Sequence, residues 1–154
     1  MIDTKTQLLK GKPVAEAIKL QLSQEIKRLA VHDIIPSLAV ILVGDDPASA
    51  VYVRSKEKAF KKLGCYSETF RLPSETTESE LLDLLLLLNL DSKFHGILVQ
   101  LPLPNHIDSQ KILLNISPNK DVDGFHPINL GNLLEGSPKF IPCTPNGVIQ
   151  ILKH

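Results

Sequence analysis

A chain of 154 residues, 43% hydrophobic and 22% charged, is long enough for one domain with a packed core. Lys+Arg and Asp+Glu both number 17, so the formal net charge is zero and no basic stripe marks a nucleic-acid partner. Cys65 and Cys143 make no CxxC pair or disulfide framework, and no apolar run approaches the about 20 residues of a membrane span. The first residues, Met1-Ile2-Asp3-Thr4-Lys5, lack the charged-then-apolar pattern of a leader. A reducing, cytoplasmic setting is therefore the expectation.

In chain order, Gln7–Leu9 reads as a short strand before a turn at Gly11. From Pro13 to about Val31, the residues Val14, Ala17, Ile18, Leu22, Ile26 and Leu29 recur at helical spacing. Ser37 to Gly44 is a continuous apolar run between turn residues, which suits a strand buried on both faces of a parallel sheet. Asp46 then caps a helix with Pro47 at its first position, and Gly64 stops it. Tyr66–Leu72 alternates as a strand and Pro73 closes it. Thr77 and Glu80 have capping-box spacing at the start of a leucine-rich helix, which is apolar nearly all round and expected to be buried on more than one side. Gly96–Gln100 is a second buried-type strand, ending at Leu101-Pro102-Leu103-Pro104. Asp108 or Ser109 starts a helix through Ile116, and loops and short helices follow Ser117. Thr144-Pro145 reads as the capped start of a last helix running to His154. The alternation of strand and helix predicts an α/β fold, with a mostly parallel sheet flanked by helices in three layers.

Ligands of an open parallel sheet bind beyond the carboxyl ends of its strands. Three segments should meet there. Gly44-Asp45-Asp46 leads into the helix that carries Tyr52 and Lys56, which lie on one face four residues apart. Val99-Gln100-Leu101-Pro102 ends a strand, and Asp121-Val122-Asp123-Gly124 lies in the loop region after it. A phenol, an ammonium, an amide and a carboxylate together suit acid–base work on a polar ligand. Taken singly, each has a plainer reading. An exposed Tyr and a solvated Lys are a common helical pair, Gln100 can serve a loop backbone, and Asp123 before Gly124 can be a simple turn.

Other chemistries fit poorly. A calcium loop begun at Asn119 would place Leu130 where the bidentate Glu belongs. Gly131 and Gly136 have phosphate-loop spacing, but Ser137 stands in place of the lysine, and no GxGxxG occurs. His32, His95, His106, His126 and His154 show no metal-ligand spacing, so no metal is expected. Tyr-x-x-x-Lys also occurs in short-chain dehydrogenases, but the glycine-rich turn those carry near the N-terminus is missing.

Four motifs occur in order: Ser49-x-x-Tyr52-Val53-x-x-Lys56; Gly96-Ile97-Leu98-Val99-Gln100-Leu101-Pro102-Leu103-Pro104; Pro118-x-Lys120-Asp121-Val122-Asp123-Gly124-Phe125; and Pro142-Cys143-Thr144-Pro145-x-Gly147. Together they resemble the bifunctional methylenetetrahydrofolate dehydrogenase/methenyltetrahydrofolate cyclohydrolase family, from about Leu8 to the last residue. The resemblance implies that residues 1–154 are the N-terminal substrate-binding and catalytic domain, ending inside a connecting helix. It implies that NADP is held by a C-terminal Rossmann domain absent from these residues, and that the substrate is a tetrahydrofolate derivative. By the same resemblance Lys56 is the essential group of hydrolysis, its pKa pushed down by a cationic substrate and partial burial. Tyr52 packs its ring on the folate and holds the lysine by its hydroxyl, and Gln100 orients Lys56 or a water. Asp123 accepts two hydrogen bonds from the pterin. Backbone groups of Val99 and Leu101, with Pro102 beside them, meet the other pterin edge. The parent would be a homodimer formed largely through the absent domain, with this piece alone monomeric and without dehydrogenase activity. The alternative is a non-catalytic folate-binding module.

Overall fold

The computed structural model describes residues 8–153. In chain order the elements are α1 (Gly11–Ala30), β1 (Ser37–Val43), α2 (Pro47–Lys62), β2 (Tyr66–Leu72), α3 (Glu78–Leu90), β3 (Gly96–Val99), α4 (Ser109–Leu114), α5 (Pro127–Leu134) and α6 (Cys143–Lys153). β1 lies at the centre of a three-stranded parallel sheet in the order β2-β1-β3, with Ser37 opposite Tyr66 and Leu38 opposite Gly96. Every residue of β1 is buried, as its unbroken apolar run demands.

The period of two in a strand divides β1 between two cores. Ala39, Ile41 and Val43 face Leu81, Leu85 and Leu88 of α3 together with Ile112 of α4. Leu38, Val40 and Leu42 face Val53 of α2. The sheet is thus the middle of three layers, as expected. Losing a side chain such as Leu85, which is fully buried, costs about 2–5 kcal/mol through lost transfer and a residual cavity.

The helix ends follow local chemistry. Asp46 accepts from Ser49 N at 2.7 Å with Pro47 in the first turn, and Gly64 takes the left-handed φ of 76° after the last turn of α2. Hydrogen bonding to the Ser49 backbone holds the Asp46 carboxyl below the usual range. Thr77 and Glu80 close a reciprocal capping box at α3, with bonds of 3.2 and 2.8 Å.

Beyond β3 the chain returns to its edge. Ile97 N donates to Lys120 O at 2.8 Å, and Ile97 bridges Asp121 in parallel. Gly96 permits this approach, because a Cβ there would stand 2.4 Å from Val122 Cγ1. Lys120 Nζ fastens the same segment to the end of α3, donating to the Leu88 and Asp91 carbonyls at 2.8 and 2.7 Å.

Several elements differ from expectation. Gln7 lies outside the described residues, and Leu8 and Leu9 are in no strand. α3 buries one stripe rather than several sides: Leu86, Leu87 and Leu90 are exposed because no described element packs on their face. In α1 only Val14 is buried, and the helix it chiefly rests against is α6. α4 ends at Leu114 rather than Ile116, capped at its start by Asp108. α6 begins at Cys143, because Asn146 N already bonds the Pro142 carbonyl at 3.1 Å. Thr144 therefore lies inside the helix, and Pro145 falls in the first turn, where a missing N–H costs nothing. No helix among the described residues is long and apolar enough to cross a membrane.

Candidate active site

Val53 sets the rotation of α2, since it is fully buried against the sheet. At about 100° per residue, Lys56 lies about 60° round the helix from Val53, and Tyr52 about 100° round in the same sense, about 40° further from the sheet. Lys56 is accordingly half-buried while Tyr52 is 64% exposed, its ring open to solvent. Among the described residues the recorded bond of Lys56 is not to Tyr52. Its Nζ donates to Gln100 Oε1 at 3.2 Å. Two of the three ammonium donors remain free to meet a ligand.

Gln100 is fixed from both ends. Its backbone N–H donates to Ile41 O at 2.9 Å, continuing the β1–β3 ladder one residue past the strand. Its side-chain N–H group donates to Leu101 O at 2.8 Å, which turns the amide oxygen toward Lys56. The Leu101–Pro102 peptide that follows is cis. Val99 keeps its side chain in the core, so it can meet a ligand only through its backbone. Leu101 is half-buried and Pro102 is exposed at the rim.

Asp123 completes the rim. It sits in a tight turn in which Gly124 N donates to the Asp121 backbone carbonyl at 3.2 Å and to Asp121 Oδ1 at 3.1 Å. Gly124 has φ 70°, and a Cβ there would press on Pro142 N at 3.0 Å, so glycine lets the start of α6 come close. Burial pushes the Asp123 carboxyl above its usual range, and the Asp121 carboxylate adds to this. The Lys56 ammonium and a hydrogen bond with Cys143 oppose it. The Lys56 ammonium is therefore near enough to the Asp123 carboxyl to act on its charge.

Two residues without a role assigned from sequence belong here. Cys143 directs its Sγ to Val122 O at 3.7 Å, and its thiol is pushed up by burial and by the nearby Asp123 charge. Asp121 is buried beneath the turn. Cys143 was visible in the Pro-Cys-Thr-Pro motif, whereas nothing local distinguished Asp121 from the neighbouring carboxylate. A separate apolar cleft of about 360 Å³, lined by Gln110, Leu113, Leu114, Phe125 and Pro127, contains none of the rim residues.

An amine, an amide and a raised carboxyl at the carboxyl edge of a parallel sheet define an α/β domain equipped for acid–base chemistry on a polar small molecule. The family model for the tetrahydrofolate dehydrogenase/cyclohydrolase catalytic domain matches residues 9–123. The bifunctional protein FolD of Exiguobacterium sibiricum is 53% identical over 147 residues, which is 96% of this chain and 53% of that protein. FolD of Geotalea daltonii is 54% identical over 148 residues, again 96% of this chain and 53% of the relative. The crystal structure of the bifunctional methylenetetrahydrofolate dehydrogenase/cyclohydrolase FolD from Campylobacter jejuni aligns with a TM-score of 0.92 at 50% identity, covering 96% of this chain and 52% of that one. The Trypanosoma brucei dehydrogenase-cyclohydrolase, solved with NADP cofactor and an inhibitor, aligns with a TM-score of 0.91 at 36% identity over 96% of this chain and 51% of that one. The chain belongs to the tetrahydrofolate dehydrogenase/cyclohydrolase family, as the match to its catalytic domain requires. It spans about half the length of the curated relatives it matches.

Proposed function

We propose that this chain is the substrate-binding and catalytic half of a bifunctional one-carbon enzyme. The whole protein would oxidise 5,10-methylenetetrahydrofolate to 5,10-methenyltetrahydrofolate with NADP as hydride acceptor, then hydrolyse the product to 10-formyltetrahydrofolate. The observation that carries the reading is the Lys56–Gln100 bond of 3.2 Å, made by the same ammonium whose charge acts on the Asp123 carboxyl.

The residues divide the work by their chemistry. Asp123 accepts from the pterin ring N–H and amino group, which a carboxylate can do with both oxygens. Tyr52 offers its exposed ring as a stacking surface. Backbone groups of Val99 and Leu101, with Pro102 alongside, meet the opposite pterin edge. The one-carbon centre then lies over Lys56. In hydrolysis, water adds to the cationic carbon between the two folate nitrogens, and the Lys56 amine takes the proton that water loses. The C–N5 bond breaks as that proton passes to N5 and the hydroxyl proton of the adduct is released to water, leaving the formyl group on N10. Gln100 holds Lys56 in line throughout. Acid–base help of this kind is typically worth about 10²–10⁴-fold.

The residues here do not fit a nicotinamide dinucleotide. The β1–α2 turn is Gly44-Asp45-Asp46, which sets two carboxylates where a pyrophosphate would meet a helix N-terminus. NADP is therefore assigned to the other half of the protein, and the dimer and the cytoplasmic setting belong to the same proposal. A purely folate-binding module would leave the Lys56–Gln100 pair without a task. Calorimetric titration with 5-formyltetrahydrofolate, a stable folate with the same pterin edge, tests the reading. One site per chain, weakened by Asp123→Ala, supports it, and no binding to the full-length protein refutes it.

A further inference from the structure

Beneath the rim, Asp121 is 2% exposed and Asn129 of α5 is 1% exposed. Three N–H donors converge on the Asp121 side chain. Gly124 N donates to Oδ1 at 3.1 Å, while His126 N and Asn129 Nδ2 donate to Oδ2 at 2.8 and 2.9 Å. A carboxylate accepts at both oxygens, whereas an amide in its place would set a donor against a donor. Asn129 Nδ2 also donates to Pro118 O at 3.0 Å. Among the described residues its own Oδ1 has no hydrogen-bond partner, so Asn129 is oriented by its two donations rather than by its acceptor. Residues 118–129 are therefore closed from inside by one knot, whose backbone is pinned to β3 through the Ile97–Asp121 bridge. Asp123 lies between the two points at which this knot holds the chain, Asp121 itself and Gly124.

We infer that Asp121, braced by Asn129, is the positioning residue that holds the Asp123 carboxyl toward Lys56. Without the knot, the turn is free to rotate Asp123 off the rim while the sheet and its helices remain intact. The titratable groups that act on the Asp123 carboxyl are Lys56 from α2, Asp121 from its own loop and Cys143 from α6. The consequence for folate rests on Asp123 being the pterin anchor, but the orientation itself is read without any ligand.

The test is a double-mutant cycle on the titration of the Asp123 carboxyl carbon, followed by NMR in the 154-residue chain. Lys56→Met removes a neighbouring cation, so it raises the Asp123 midpoint in the otherwise wild-type chain. With Asp121→Asn also present, that rise falls to about a third or less, because the two groups no longer face one another. An equal rise in both backgrounds overturns the inference. Should Asp121→Asn fail to fold by circular dichroism, Asn129→Ala removes one of the three donors and is measured in the same way. The rise is then at least halved, and an undiminished rise overturns the inference. Titration of the full-length protein with 5-formyltetrahydrofolate separates this from the proposed function. Asp121→Asn, or Asn129→Ala in its stead, weakens binding by about tenfold or more. A wild-type protein with intact coupling and no folate binding would sink the functional reading and leave the positioning role standing.

Discussion

Lys56 and Gln100 are 44 residues apart in the chain and 3.2 Å apart in the fold, the lysine donating to the amide oxygen. The amide cannot turn away without losing its own donation to Leu101 O. The lysine is thus aimed by a strand end rather than by its helical neighbour Tyr52. This relationship leads to the first prediction. Lys56→Met in the full-length protein abolishes cyclohydrolase turnover, a loss of about 10²-fold or more, while folate affinity changes little. A coupled assay for 10-formyltetrahydrofolate with parallel calorimetry measures both. Retained hydrolysis would remove Lys56 from the chemistry.

Asp123→Ala weakens folate binding by about 1.5–3 kcal/mol, the scale of hydrogen bonds to a charged group. The dissociation constant for 5-formyltetrahydrofolate, measured calorimetrically at constant pH, should rise accordingly. An unchanged constant would show that the pterin is anchored elsewhere.

The same carboxyl has a stability signature. Its pKa is raised in the fold, mainly by burial, above the unfolded value of 3.8. Between those two values the folded state binds more protons than the unfolded one, so stability falls as pH rises through that window. Asp123→Asn, which resembles the neutral acid, should therefore stabilise the apo chain more at pH 7 than at pH 3. Urea unfolding at the two values checks the sign. A larger gain at pH 3 would mean that the Lys56 attraction outweighs burial.

Gly96→Ala destabilises the chain by about 1–3 kcal/mol, the usual cost of overpacking, because the new methyl would stand 2.4 Å from Val122 Cγ1. Trimming the neighbour in Gly96→Ala/Val122→Ala should recover most of the loss. Denaturant midpoints of the single and double variants measure it, and equal midpoints would mean that the 120–122 segment does not press on β3.

Much of the scaffold is written in short-range chemistry. β1 is an unbroken apolar run, α2 has its Asp46 cap and its Gly64 stop, and α3 has the Thr77–Glu80 box. These were legible because each signal acts within a few residues. Which side of a leucine-rich helix is covered depends on distant partners, and so the exposed Leu86, Leu87 and Leu90 were read as buried. The start of α6 was read two residues late, since Thr144 looks like a cap until the Pro142 carbonyl is seen to accept from Asn146. At the rim, the convergence of Lys56, Gln100 and Asp123 followed from strand ends of a parallel sheet. The Asp121 knot did not, because its donors come from Gly124, His126 and Asn129, and only folding brings them to one carboxylate.

The most direct measurement is a crystal structure of the full-length protein with 5-formyltetrahydrofolate bound. The account predicts the pterin edge on the Asp123 carboxylate, its ring against Tyr52 and its one-carbon substituent over Lys56. A pterin seated away from Asp123, for example in the apolar cleft lined by Leu113, Leu114 and Phe125, would contradict it.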